Sequence, residues 1–192
     1  MKKSVLSLVL AVVFGATATA TTPKDGEKKP VKTGESKVTW KAYKVTGSHV
    51  GTVDLKEGAL EFEGDKLIGG EFIVDMTSLV STDLEGEYKG KLEGHLKSDD
   101  FFGVAKHGSS KLVFSEVKVS GKNSYEVTGD LTIKGITKPV TFDVSIYGSK
   151  ATATLKIDRA NYDVKYGSGS FFDNLGDKAI YDEFDLVVDL EF

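Results

Sequence analysis

From Ser36 to the C-terminus, apolar and polar residues alternate with period two. In "VTWKA", Val38, Trp40 and Ala42 fall on one face, Thr39 and Lys41 on the other. "GGEFIVDM" sets Gly70, Phe72, Val74 and Met76 against Glu71, Ile73 and Asp75, and "KLVFSEV" sets Leu112 and Phe114 against Lys111 and Ser115. The longest alternation, "YEVTGDLTIKG", puts Tyr125, Val127, Gly129, Leu131 and Ile133 on one side. Val140, Phe142, Val144 and Ile146 continue the pattern, then Ala151, Ala153, Leu155 and Ile157, then Phe184, Leu186, Val188 and Leu190. Each segment reads as a strand with one apolar and one mostly polar face. That is the mark of antiparallel sheet packed on one side.

Parity slips once. Val53 and Leu55 are odd-numbered, whereas Leu60 and Phe62 are even. One strand keeps both pairs inside only with an extra residue between them. Glu57-Gly58 is the natural bulge, since glycine tolerates the backbone required. Eight strands follow, at 37–46, 49–64, 66–77, 110–120, 124–135, 138–148, 150–159 and 183–192. The expected class is all-β: an eight-stranded antiparallel barrel, which leaves no edge exposed, with one short helical insert between strands 3 and 4. A two-sheet sandwich fits the same alternation. Ala42, Gly70, Gly129, Ala151 and Ala153 share the inward parity. They either open space for a ligand or accommodate Trp40 and the phenylalanines.

The helical insert follows Thr82, which forms a capping box with Glu85 on this reading. Leu84, Tyr88, Leu92 and Leu96 recur at spacing four, a narrow apolar stripe. Gly86, Gly90 and Gly94 in the same run each cost about 1 kcal/mol against alanine. Such a helix exists by packing its stripe on the barrel, which makes it a candidate lid.

"GHLKSDDFF" ends that helix. His95, Asp99 and Asp100 supply at most three metal ligands and lack the spacing of a recognised site. No nucleophile elbow or second histidine accompanies them. The reading is a locally hydrogen-bonded histidine, two aspartates holding a turn, and Phe101 and Phe102 turned toward an apolar interior. Arg159 ends an inward-facing strand. It either meets a polar or pyrophosphate headgroup or pairs with Asp158, Asp163 or Asp185. His49 is placed at the mouth as a hydrogen-bonding residue. Phe171 and Phe172, in a glycine-rich loop over 167–184, either close the barrel's far end or line its opening.

The N-terminus adds a destination. Lys2 and Lys3 precede an apolar run from Val5 to Phe14, and Ala18-Thr19-Ala20 offers a cleavage site, so residues 1–20 read as a signal peptide. Residues 21–35, rich in charge and proline, read as a flexible leader. Cleavage after Ala20 takes the formal charge from −4 to −6, a poor balance for nucleic acid or an anionic membrane surface. The chain has no cysteine, hence neither disulfides nor a lipoprotein anchor. A soluble periplasmic protein is expected, with an extracellular one as the other destination and no stable membrane insertion.

"GHLKSDDFFGVAKH", "GDLTIKGITKPVTFDV" (129–144) and "IDRANYDV" (157–164) together resemble the signatures of the YceI-like, polyisoprenoid-binding family over residues 36–192. The resemblance implies a lipocalin-like eight-stranded barrel whose apolar pore holds a polyisoprenoid chain or another long lipid. It also implies a non-enzymatic carrier or storage role. One departure is His107-Gly108-Ser109, where many members carry a tyrosine-proline pair.

The expected function is thus an exported carrier of a long apolar ligand, a polyisoprenoid or isoprenoid quinone, with that lipid as its partner and no metal or other cofactor. The expected lining is Trp40, Phe62, Phe72, Val74, Leu96, Phe101, Phe102, Phe114, Leu131, Ile133, Phe142, Val144, Leu155 and Leu186. His49, His95, Arg159 and Tyr162 are the candidate headgroup contacts. The alternative is a filled barrel acting as a structural or interaction module of the cell envelope.

Overall fold

A computed structural model describes residues 26–192. The signal-peptide reading of residues 1–20 lies outside the described residues. Nine strands form one antiparallel sheet: β1 Glu27–Pro30, β2 Lys37–Lys44, β3 Gly47–Glu63, β4 Lys66–Ser81, β5 Ser109–Gly121, β6 Ser124–Ile133, β7 Ile136–Tyr147, β8 Lys150–Asp158 and β9 Ile180–Glu191. Their order is β1-β3-β2-β9-β8-β7-β6-β5-β4, and β3 also pairs with β4. That last pairing closes β2 to β9 into an eight-stranded barrel and excludes the open sandwich. The helical insert, α1 Gly86–Lys97, joins the third and fourth barrel strands, here β4 and β5.

The alternation sets the register. Val127, Ile157 and Ala151 are almost wholly buried on the inward face, while Glu126, Asp130 and Lys156 on the outward face are exposed. The parity slip in β3 resolves as expected, one residue early. Leu55 pairs with Val74 and Glu57 with Ile73, so Lys56 is the inserted residue. Gly58 is glycine for space: a Cβ there would stand 2.7 Å from the Phe72 ring. A second irregularity was not legible. Asp54 pairs with Asp75 but Thr52 with Val80, so Met76–Leu79 loops within β4 and turns Met76 and Leu79 into the core.

The described part of the expected leader, residues 26–35, belongs to the fold. Glu27–Pro30 is β1, pairing with Ala59–Phe62, and Val31 is buried with its N–H donating to the Gly58 carbonyl at 2.8 Å. "EKKP" has no strand pattern of its own. It pairs because β3, at 17 residues, outruns β2 and leaves an edge to cover.

The antiparallel order puts all the long connections at one end. α1 with residues 98–108, and the segment 159–179, both lie where β4 and β8 finish and β5 and β9 begin. At the other end, Phe62 stacks on Phe192 with ring centroids 5.5 Å apart.

Candidate functional site

Inside the barrel is a cavity of about 160 Å³. Its wall is mainly apolar side chains from all eight barrel strands, with Ser110, Lys111, Thr152 and Arg159 among them and Leu96, Phe101 and Phe102 at the α1 end. The alanines and glycines divide the two roles left open by the sequence. Ala42, Ala151 and Ala153 line the cavity. Gly70 and Gly129 instead make room for neighbours, since a Cβ at either would stand 2.9 Å from Phe114 or Leu112.

Trp40, Phe72, Val74, Leu96, Phe101, Phe102, Phe114, Leu131, Ile133, Phe142, Val144, Leu155 and Leu186 all stand on this wall. Phe62 does not. It lies under β1, with the Lys29 ammonium 4.8 Å from its ring centre, and packs the far end. Leu79 and Ile180 line the cavity without having been singled out. Leu79 lies in the looped stretch of β4, where the parity breaks. Ile180 shares the even parity of Phe184 and Leu186, a signal lost in a segment that read as loop.

The closing elements are held by main chain more than by side-chain caps. No capping box forms: the helix begins at Gly86 with Glu85 as N-cap and no side-chain cap bond, and Thr82 donates to the Val50 carbonyl. Glu93 ties α1 to β4 by accepting the Ser81 N–H at 2.8 Å. Only the C-terminal half of the stripe packs. Leu96 is buried, while Tyr88 is 74% exposed. After the helix, Phe101 and Gly103 donate to the Ser98 carbonyl, Phe102 to Leu96 and Val104 to Lys97. This knot of turns drives Phe101 and Phe102 inward, ring centroids 5.0 Å apart. Asp99 and Asp100 are exposed. Asp99 clips the turn from outside through Lys106 at 2.6 Å, and that ammonium holds its carboxyl below the usual range.

His95 is thereby separated from the aspartates. Its ring meets Tyr166 edge-on at 4.3 Å and Phe101 at 5.8 Å, and its Nε2 is buried without a hydrogen-bond partner. Among the described residues, no three His, Cys, Asp or Glu side chains gather to hold a metal. His95→Ala is expected to cost roughly 1 kcal/mol through lost ring contacts. Zinc titrated into the wild type should find no stoichiometric site. Tight zinc binding that this variant abolishes would reinstate the metal reading.

The other candidate polar contacts go separate ways. His49 Nδ1 lies 2.9 Å from Asp83 Oδ2 at the rim. Tyr162 is 1% exposed, its hydroxyl is unpartnered, and burial pushes its pKa up to about 12. Arg159 reaches the cavity wall, over the Phe101 ring at 5.3 Å, but its guanidinium is largely engaged. It donates to the carbonyls of Tyr181, Val164 and Ile180 at 3.2, 2.7 and 3.0 Å. Its ion partner is Asp182 at 3.3 Å, a contact too poorly aligned to satisfy Asp182 Oδ1 as a hydrogen bond. None of the three aspartates expected for it takes that place. Asp158 accepts from the Ala160 N–H, Asp163 pairs with Lys165, and Asp185 accepts from Tyr43 and pairs with Lys156. Burial lowers the guanidinium pKa, opposed by Asp182 and Asp158.

A closed barrel with an apolar interior, plugged by the "HLKSDDFF" turn, is a specific combination, and the YceI-like domain family matches residues 30–192. The chain belongs to that family. A relative, the UPF0312 protein of Pseudomonas fluorescens (strain SBW25), is 34% identical over 114 residues, 58% of this chain and 56% of the relative. The UPF0312 protein VPA0850 of Vibrio parahaemolyticus is 27% identical over 139 residues, covering 66% of this chain and 74% of that one. The chain spans about half the length of the first curated relatives it matches. Among solved structures, Burkholderia cenocepacia BcnA superposes with a TM-score of 0.67 at 23% identity, covering 83% of this chain and 98% of that one. A polyisoprenoid binding domain from Saccharophagus degradans, implicated in plant cell wall breakdown, gives 0.60 at 14%, covering 84% and 97%. At these identities the likeness to both is one of fold.

His107 sits between Gly103 and Gly135, and the Gly108 carbonyl accepts the Met76 N–H at 3.0 Å. His107-Gly108-Ser109 is thus anchored to the irregular stretch of β4.

Proposed function

We propose that the chain is an exported, non-catalytic carrier that holds a long apolar molecule, a polyisoprenoid or isoprenoid quinone, inside its barrel. The observation that carries this reading is the apolar cavity, bounded at one end by Leu96, Phe101 and Phe102 rather than by strand side chains alone. The Saccharophagus neighbour, a polyisoprenoid binding domain, supports it by analogy of fold. The signal-peptide pattern of residues 1–20 supports delivery to the periplasm, or beyond the cell. Each five-carbon unit buried contributes roughly 3 kcal/mol, so a few units bind tightly without a charged contact.

The cavity's size says how loading proceeds. An enclosed apolar space of about 150 Å³ holds one benzene ring, so the closed barrel takes little more than one isoprene unit. A longer chain requires Leu96, Phe101 and Phe102 to withdraw with their turn. The same small volume favours the second reading, a filled barrel serving as a structural or interaction module of the envelope.

Organic extraction of the purified protein followed by mass spectrometry separates the two. The expected result is a stoichiometric long-chain lipid. Phe101→Asp with Phe102→Asp is expected to lose it while the β-sheet circular dichroism persists. Wild-type protein that is lipid-free after mild purification and takes up no long-chain isoprenoid would leave the filled barrel standing.

A further inference from the structure

Phe171 and Phe172 stand in solvent, 42% and 50% exposed, on the segment that covers the α1 end of the barrel. Tyr166 and Tyr181 beside them are 48% and 55% exposed. We propose that this rim docks on a bilayer: the Phe171, Phe172 and Tyr166 rings seat in the interface of an uncharged lipid surface, above the plug that closes the cavity. The proposal rests on the carrier reading, because a cargo that lives in bilayers has to be collected there.

The presentation of the rings is built. Ser168 is fully buried, and its carbonyl accepts the N–H groups of Phe171 and Phe172 at 3.2 and 3.0 Å. Its hydroxyl oxygen accepts the Ser170 N–H at 3.1 Å, and the Ser170 hydroxyl donates to Asp182 at 2.6 Å. The turn is pinned on both sides, with its two phenylalanines facing away from the core.

The patch is also continuous with the plug. Tyr166 packs on His95, His95 packs on Phe101, and Phe101 lines the cavity. Ile180, which lines it too, donates its N–H to the Gly167 carbonyl at 2.8 Å. A disturbance of the aromatic turn thus reaches the cavity wall through one layer of side chains.

Charge and area choose the occupant. From Tyr166 to Leu175 the only charged residue is Asp173, and the Lys165 ammonium over the Phe171 ring at 5.3 Å offsets it, on a chain of net charge −4. A neutral aromatic tip on an acidic body suits a zwitterionic surface and is repelled by an anionic one. Aromatic rings favour the headgroup level of a bilayer. Four half-exposed aromatics offer about 400 Å², half of the roughly 800 Å² per partner that stable protein complexes bury.

The test floats the exported protein, residues 21–192, with phosphatidylcholine vesicles, so that the apolar run before residue 20 plays no part. Wild type is expected to float. Phe171→Ser with Phe172→Ser should lower the vesicle-bound fraction by roughly tenfold or more while its thermal midpoint stays put. Val119→Ser with Tyr147→Ser removes side chains that are each 60% exposed at the opposite end, and should leave flotation unchanged. Phosphatidylglycerol mixed into the vesicles should weaken binding. Wild type that stays with the soluble fraction overturns the proposal, as does an equal loss in both double variants. A wild-type dimer that the phenylalanine variant dissociates would also overturn it, by giving the patch to a second copy. Flotation without extractable lipid keeps the docking surface and removes the carrier reading; lipid without flotation does the reverse.

Discussion

Leu131→Asp is expected to unfold the barrel or leave it grossly destabilised, whereas Thr132→Asp, one residue along, leaves it standing. Leu131 is 6% exposed and lines the cavity from β6. A carboxylate there meets no donor, and burying it costs several kcal/mol even if it takes up a proton. Set against the 5–15 kcal/mol that typically holds a domain together, that is most of the margin. Thr132 faces outward. It shares a hydroxyl hydrogen bond with Thr137 at 2.8 Å and pairs across the ladder with Lys111. The substitution loses that bond but gains a cation opposite, so the net change should stay within about 1 kcal/mol. Urea denaturation of both variants measures the difference. Equal shifts in midpoint would mean that the inward and outward faces of β6 are not those described.

The second large effect is at Arg159. Arg159→Met should destabilise the protein by about 3–5 kcal/mol, as breaking a buried ion pair does. It would strand three carbonyls, those of Tyr181, Val164 and Ile180, together with the Asp182 carboxylate. It would also free the start of β9 from the end of β8. Arg159→Lys should recover only part of the loss, since one ammonium cannot span the planar fork of acceptors. The contrast separates structure from ligand binding. A Met variant as stable as wild type but empty of lipid would show that the guanidinium serves a headgroup instead.

Arg159 also marks where reading the sequence stops. Its place at the end of an inward strand was legible. Its partner was not, because the aspartates around it are alike by pattern and only the path of the loop before β9 brings Asp182 to the guanidinium. The same holds for His95. It shares a stretch of sequence with two aspartates, but the backbone turn after α1 points its ring in among aromatics and the carboxylates out. Phe62 has the parity of an inward residue and is buried, yet it belongs to the far-end packing because β1 and Phe192 cover it.

By itself, the sequence determined the eight barrel strands, the face of each, the need for a bulge between Leu55 and Leu60 and nearly all of the cavity wall. These follow from a period of two residues, a local property that every strand carries whatever its neighbours are. Tertiary structure decided the rest. It decided closure, because the β3–β4 pairing joins the ends of an eight-strand order that alternation alone leaves open. It recruited "EKKP" as a ninth strand to cover an edge, and it kinked β4 to bring in Leu79. It also kept only the last turns of the apolar stripe on α1 against the barrel. Each of these depends on what a segment meets across space, and hydrogen bonds between distant backbones leave no periodic trace in the residues that make them.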